Sequence, residues 1–170
     1  SNDGKYLYLA GWNFNTRKFE IESGKEVWEN NISKESGYTA IQSLDVSPDD
    51  QSIVIGGKDY QARMIDSKTG QLKYKLDEKQ THTAWINSVR FTPDGRKFIT
   101  ASDDGFIKVW DANDGHLLAS FRGHTAGLYG TANNGNLIVS ASQDKTIKIW
   151  QLDQPYQFNE KICDNGPWYM

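Results

Sequence analysis

The chain has 170 residues, with 19 lysines and arginines against 22 aspartates and glutamates, and its net charge of −3 is scattered rather than blocked. That surface lacks the basic stripe needed to track a nucleic-acid backbone or an acidic membrane, so neither is expected as a partner. Cys163 is the only cysteine, which excludes an intrachain disulfide and any multi-cysteine metal site and points to a reducing compartment, the cytoplasm. No apolar run approaches the ~18 residues of a membrane span, and the opening residues SNDGKYLYLA carry no charged leader, so the start reads as mid-domain.

Taken in order, the chain shows one pattern four times. Turn-like SNDGK (1–5) precedes LYLAGWNFNTRKF (7–19), and SPDDQ (47–51) precedes IVIGGKDYQARMI (53–65). TPDGR (92–96) then precedes FITASDDGFIKVW (98–110), and ANNGN (132–136) precedes IVSASQDKTIKIW (138–150). The last two copies are identical at six of thirteen positions. The closing residues Phe19, Ile65, Trp110 and Trp150 are spaced by 46, 45 and 40. Those spacings match the roughly 40–45 residue period of propeller blades and exceed the ~34 of two-helix repeats. Repeat units are therefore expected at about 1–36, 37–80, 81–122 and 123–170.

Within the unit that runs from His82, WINSVRF (85–91), KFITAS (97–102), FIKVW (106–110) and HLLASF (116–121) read as four strands. TPDG, DDG and DANDG join them, with Pro and Gly supplying the turn geometry. Each unit is thus expected to be a four-stranded antiparallel meander, and no helix is needed anywhere. Such a sheet carries apolar residues on both faces, here Ile107 and Val109 on one and Trp110 on the other, and cannot bury them alone. Radial stacking of like sheets covers both faces, which is the β-propeller.

FIKVWD and TIKIWQ, with GHT at 123–125 and THTAWINSVRFTPDGR at 81–96, resemble the WD-repeat (WD40) family. The resemblance implies a hydrogen-bonded tetrad in a blade, made of a His, a strand-two Ser or Thr, the turn Asp and the Trp indole. In unit three these are His82, Ser102, Asp104 and Trp110, and in unit four His124, Ser142, Asp144 and Trp150. Thr100 and Ser140 are alternative hydroxyls two residues earlier on the same strands. Unit two departs from the pattern, with Gly37 near the histidine position and Ile65 for the tryptophan; unit one has Phe19 there and Asn13 in the Asp slot. Both should be looser.

His124, Ser142 and Asp144 also invite a hydrolase triad, but a catalytic site has no reason to be copied into consecutive blades. The Asp- and Gly-rich turns lack the regularly spaced carboxylates of a calcium loop. EIESGKEVW (20–28) and IDSKTGQLKY (65–74) resemble the docking motif of quinoprotein dehydrogenase propellers, the oxidoreductase alternative. Against it, only Trp28 sits at the docking position, Tyr74 and Ala119 replace it later, and the family's adjacent cysteine pair cannot exist. No cofactor or metal is expected.

Trp12 and Trp85 fall where blades of this family crowd the inner rim, with Lys58, Asp103 and Gln143 at the positions equivalent to Trp12. These five residues form the candidate interaction rim. The chain opens before a second strand and stops at PWYM (167–170), which looks like a first strand. Four blades' worth of strands is therefore expected, part of the seven- or eight-bladed propeller that the resemblance implies, with a second propeller half or a second copy of the chain to complete the ring. Tyr6, Tyr8, Ile138 and Val139 are expected on the faces such a half-ring exposes. The function implied is a non-catalytic interaction scaffold or sensor, a regulatory module that binds a protein partner or gates an attached NTPase- or caspase-like effector in a larger signalling protein.

Overall fold

Strand alternation with a period of two, interrupted by Gly, Asn and Asp turns, sets the elements of this chain. The computed structural model describes residues 1–12, 15–31 and 40–152, together with the backbone of 158–162. Gly37, Asn13, Cys163 and residues 167–170 lie outside the described residues. Among those described the chain is all β, with no helix.

Four antiparallel sheets follow one another. The first holds β1 (Tyr6–Ala10), β2 (Asn15–Glu20) and β3 (Glu26–Asn31). The second holds β4 (Ile41–Val46), β5 (Ser52–Gly57), β6 (Ala62–Asp66) and β7 (Leu72–Lys75). The third holds β8 (Ile86–Phe91), β9 (Lys97–Ser102), β10 (Phe106–Asp111) and β11 (Leu117–Arg122). The fourth holds β12 (Leu128–Asn133), β13 (Leu137–Ser142), β14 (Thr146–Gln151) and β15 (Phe158–Ile162). Every strand pairs only with its sequence neighbours, as a meander requires. The innermost strands contact one another in order, β1 with β4, β4 with β8 and β8 with β12, so the sheets stack as successive propeller blades.

Three buried clusters lie between adjacent sheets, because successive residues of each strand point to opposite faces. Between the first and second sheets Tyr8 meets Ile41, Ile53, Ile55 and Ile65, and Val54, one residue along, faces the third sheet. There Trp110 packs with Val54, Met64, Ile86 and Phe98. Ile107 and Val109 point the other way, to Ile138 and Trp150 of the fourth sheet. Tyr6, Tyr8 and Ile138 are therefore on covered faces, a correction to the expectation. Apolar side chains left open on the two end sheets include Leu7 (50% exposed), Leu9 (48%) and Ile21 on the first and Leu137 and Val139 on the fourth.

An inner strand is an edge strand whose outward N–H groups need partners. Here the preceding or facing sheet supplies them from side chains. Val89 N–H donates to Ser43 Oγ (3.1 Å), Phe91 N–H to the Asp45 carboxylate (2.7 Å) and Thr131 N–H to Ser88 Oγ (3.2 Å). Burial raises the Asp45 carboxyl, against the Phe91 hydrogen bond. The bulges between Ile41 and Ser43, Ile86 and Ser88, and Leu128 and Gly130 recur at the same place in three sheets. Each inserts one extra residue (Gln42, Asn87 or Tyr129) at the start of the inner strand.

Candidate functional site

In the third sheet the tetrad runs from indole to carboxylate. Trp110 Nε1–H donates to Thr100 Oγ1 (2.9 Å), His82 Nε2 lies 2.7 Å from that hydroxyl, and His82 Nδ1 lies 2.8 Å from Asp104. With the buried histidine neutral, its one ring proton faces the carboxylate: Nδ1–H donates to Asp104, and the Thr100 O–H, whose oxygen accepts from the indole, donates to Nε2. Burial favours that neutral form and pushes the histidine pKa below the ordinary value against the pull of Asp104. Partial burial opposes ionisation of Asp104, but hydrogen bonds from His82 and the N–H groups of Phe106 and Thr83 hold its carboxyl down at about 2.

The fourth sheet repeats the geometry. Trp150 Nε1–H donates to Ser140 Oγ (2.8 Å), His124 Nε2 is 2.7 Å from the same oxygen, and Nδ1 is 2.8 Å from Asp144. The Asp144 carboxyl stays below the usual range despite burial, because Thr146, Thr125 and His124 all donate to it.

The hydroxyls are those of Thr100 and Ser140, and the expected Ser102 and Ser142 are corrected accordingly. Both candidates on each strand share a face, so alternation cannot separate them. Trp110 lies opposite Phe98 and Trp150 opposite Ile138, so each indole reaches diagonally to the next residue on that face, 100 or 140, and no further. Ser102 and Ser142 sit one step closer to the hairpin, where they accept from the N–H of Asp104 (3.2 Å) and Asp144 (3.1 Å). Ser142 also donates to the Gly127 carbonyl (2.9 Å), so it does not face His124 as a triad serine would. The hydroxyl beside each histidine is buried under an indole, which leaves no place for a reacting carbonyl.

The second sheet fills the same slots differently. Ile55 and Ile65 occupy the hydroxyl and tryptophan positions, and Asp59, in the Asp104 position, pairs with Arg63 at 2.5 Å. That buried ion pair was not foreseen. Its signal was Arg63 four residues after an Asp that had lost its histidine.

Trp28 and Tyr74 act as clamps between sheets. The Trp28 ring lies against Gly70, where a Cβ would meet it at 2.8 Å, and its Nε1–H donates to the Ser67 carbonyl (3.1 Å). Tyr74 lies against Gly115 in the same way, and its hydroxyl donates to the equivalent carbonyl, that of Ala112 (2.7 Å). The docking resemblance therefore marks a sheet-to-sheet contact made by two aromatic types. Among the described residues no cluster of metal-ligating side chains forms.

At the inner rim one backbone bond recurs: Lys58, Asp103 and Gln143 each donate an N–H to the carbonyl of Ala40, Trp85 and Gly127 respectively, at 2.9 Å in all three. A bridge from Trp12 to Ala40 ties the first sheet to this row. All five rim residues are thus brought to one edge. Lys58 Nζ lies 4.3 Å from the Trp85 ring centre and 5.4 Å from that of Trp12. Trp12 is 70% and Trp85 43% exposed. Asp103 accepts from Asn87 (2.7 Å) and Gln143 (3.4 Å). Tyr129, the bulge residue equivalent to Asn87, also stands exposed beside this edge and went unread, because an isolated tyrosine in GLYG carries no pattern.

A family model described as "WD domain, G-beta repeat" matches residues 71–111 and 115–151. The chain is 29% identical over 164 residues to WD repeat-containing protein 1 of Gallus gallus, covering 88% of this chain and 26% of that protein. It is 41% identical over 81 residues to the CCR4-associated factor 4 homolog of Candida glabrata, covering 42% of this chain and 14% of that protein. Over 89 residues it is 35% identical to nuclear distribution protein nudF 1 of Talaromyces marneffei, covering 50% and 19%. The chain thus spans about a quarter or less of the length of these relatives. The two matched stretches hold both complete tetrads, and each is a WD repeat.

Proposed function

We propose that this chain is a non-catalytic interaction scaffold that docks a protein partner on the rim of Trp12, Lys58, Trp85, Asp103 and Gln143. WD-repeat proteins are in general interaction scaffolds, and the observation that carries the reading to this edge is the pair of exposed indoles flanking Lys58. Large aromatics held out to solvent on a rigid support are the side chains that dominate binding energy at interfaces. Behind Trp85 the third-sheet tetrad locks the loop, and Lys58 and Trp12 are both tied to Ala40 through the backbone, which lowers the ordering entropy lost on binding.

In the finer reading the segment is a regulatory module of a larger cytoplasmic signalling protein, with a second propeller half covering its open faces. The regular TPDG-type units and the uncovered Leu7, Leu9, Leu137 and Val139 support it. Quantitative capture with the wild-type chain and with the Trp12→Ala/Trp85→Ala variant tests the rim. A partner retained by the first and lost by the second is expected; partners recovered equally by both would overturn the assignment.

A further inference from the structure

Resting on that rim assignment, we propose that the Trp12–Lys58–Trp85 cluster recognises an acidic peptide, with an Asp or Glu side chain on Lys58 and apolar or aromatic neighbours against the two indoles. The carboxylate next to Lys58 in sequence and the one at the equivalent position of the next sheet are both engaged. Asp59 is taken by Arg63 at 2.5 Å, and Asp103, at the position equivalent to Lys58 in the next sheet, accepts from Asn87 and Gln143. Among the described residues the Lys58 ammonium makes no ion pair and lies over the faces of two tryptophans. An ammonium held over indole faces is partly stripped of water yet keeps N–H donors free, which strengthens its attraction for an anion.

The same geometry excludes other ligands. Exposed aromatic pairs can cage a methylated ammonium, but here the cation site over both rings is filled by the protein's own Lys58, so a second cation would be repelled. A nucleic-acid backbone needs several cations in a row to displace its counterions, and among the five rim residues Lys58 is the one cation, with Asp103 in the same row on a chain of net charge −3. A carboxylate flanked by apolar side chains matches what remains. Asp103 also sets a direction, since an acidic residue placed at its end of the rim would be repelled.

The test is an unbiased one. A random twelve-residue peptide library displayed on phage is selected on the chain, and the enriched peptides are resynthesised with a fluorescent label, each with a second version in which Glu or Asp becomes Gln or Asn. Enrichment of acidic peptides is expected. Binding should fall at least tenfold with Lys58→Gln, with the amide peptide and with Trp12→Ala or Trp85→Ala, as for loss of a charge-assisted contact. Unchanged melting of each variant checks that the fold is intact. Neutral or basic peptides that still need Trp12 and Trp85 would overturn the acidic specificity and leave the rim as the docking site. Acidic peptides insensitive to Lys58→Gln would do the same. Peptides indifferent to all three rim residues, or no enrichment at all, would overturn both.

Discussion

Replacing Thr100 with valine keeps the shape of the side chain and removes the one hydroxyl that joins Trp110 to His82. The indole N–H, on a side chain 0% exposed, loses its acceptor, and His82 Nε2 loses its donor. Each orphaned buried group costs about 1–3 kcal/mol, and the added methyl recovers up to ~0.8 kcal/mol by burial. The expected net loss is about 3 kcal/mol. For a chain of this size that lowers the melting temperature by about 6–12 °C. Ser102→Ala removes only the acceptor of the Asp104 N–H, at 3.2 Å, and should cost about 1 kcal/mol. Thr100→Ser keeps the hydroxyl, and the fourth sheet already uses Ser140 in this slot, so it should stay within about 1 kcal/mol of wild type. The four proteins are compared by urea unfolding followed through tryptophan fluorescence. Equal losses for Thr100→Val and Ser102→Ala, or equal damage from Thr100→Ser and Thr100→Val, would refute the tetrad as drawn.

Gly70→Ala should cost about 1–3 kcal/mol more than Gly24→Ala. Both glycines have positive φ, +73° and +67°, but only at Gly70 would a Cβ strike the Trp28 ring, at 2.8 Å. Amide exchange in β3 reads the loosened clamp, and equal effects of the two substitutions would rule it out. Because His82 is held neutral, its folded pKa lies below the unfolded value, so its contribution to stability is complete above ~6.5 and is lost as the pH falls below that. An NMR titration placing the His82 midpoint above 6.5 would reverse the sign and contradict the proton pattern. The open faces bearing Leu7, Leu9 and Ile21 at one end and Leu137 and Val139 at the other should make the isolated chain associate or bind an apolar dye. Light scattering at one chain's mass, with no dye bound, would count against their being docking faces.

Local chemistry made most of the architecture legible. TPDGR and ANNGN mark turns because Pro and Gly restrict the backbone wherever they occur, and FIKVW alternates because strand geometry has a period of two. The repeated His, Asp and Trp of the last two units pointed to the tetrads through the family they resemble. The hydroxyl at the centre was a different matter. Thr100 and Ser102 lie on one face of one strand, and the choice between them depends on how far an indole reaches across to the neighbouring strand. The covered faces were decided in the same way. Alternation separates Tyr8 from Leu7, but it does not say on which side the next sheet stands. The stacking of whole sheets places Tyr8 against Ile53 and Ile55 and leaves Leu7 in the open. The family resemblance already named the five rim residues, but the seating of Lys58 over two indoles belongs to the tertiary structure, since Trp12, Lys58 and Trp85 come from three sheets and meet only because successive inner strands stand side by side.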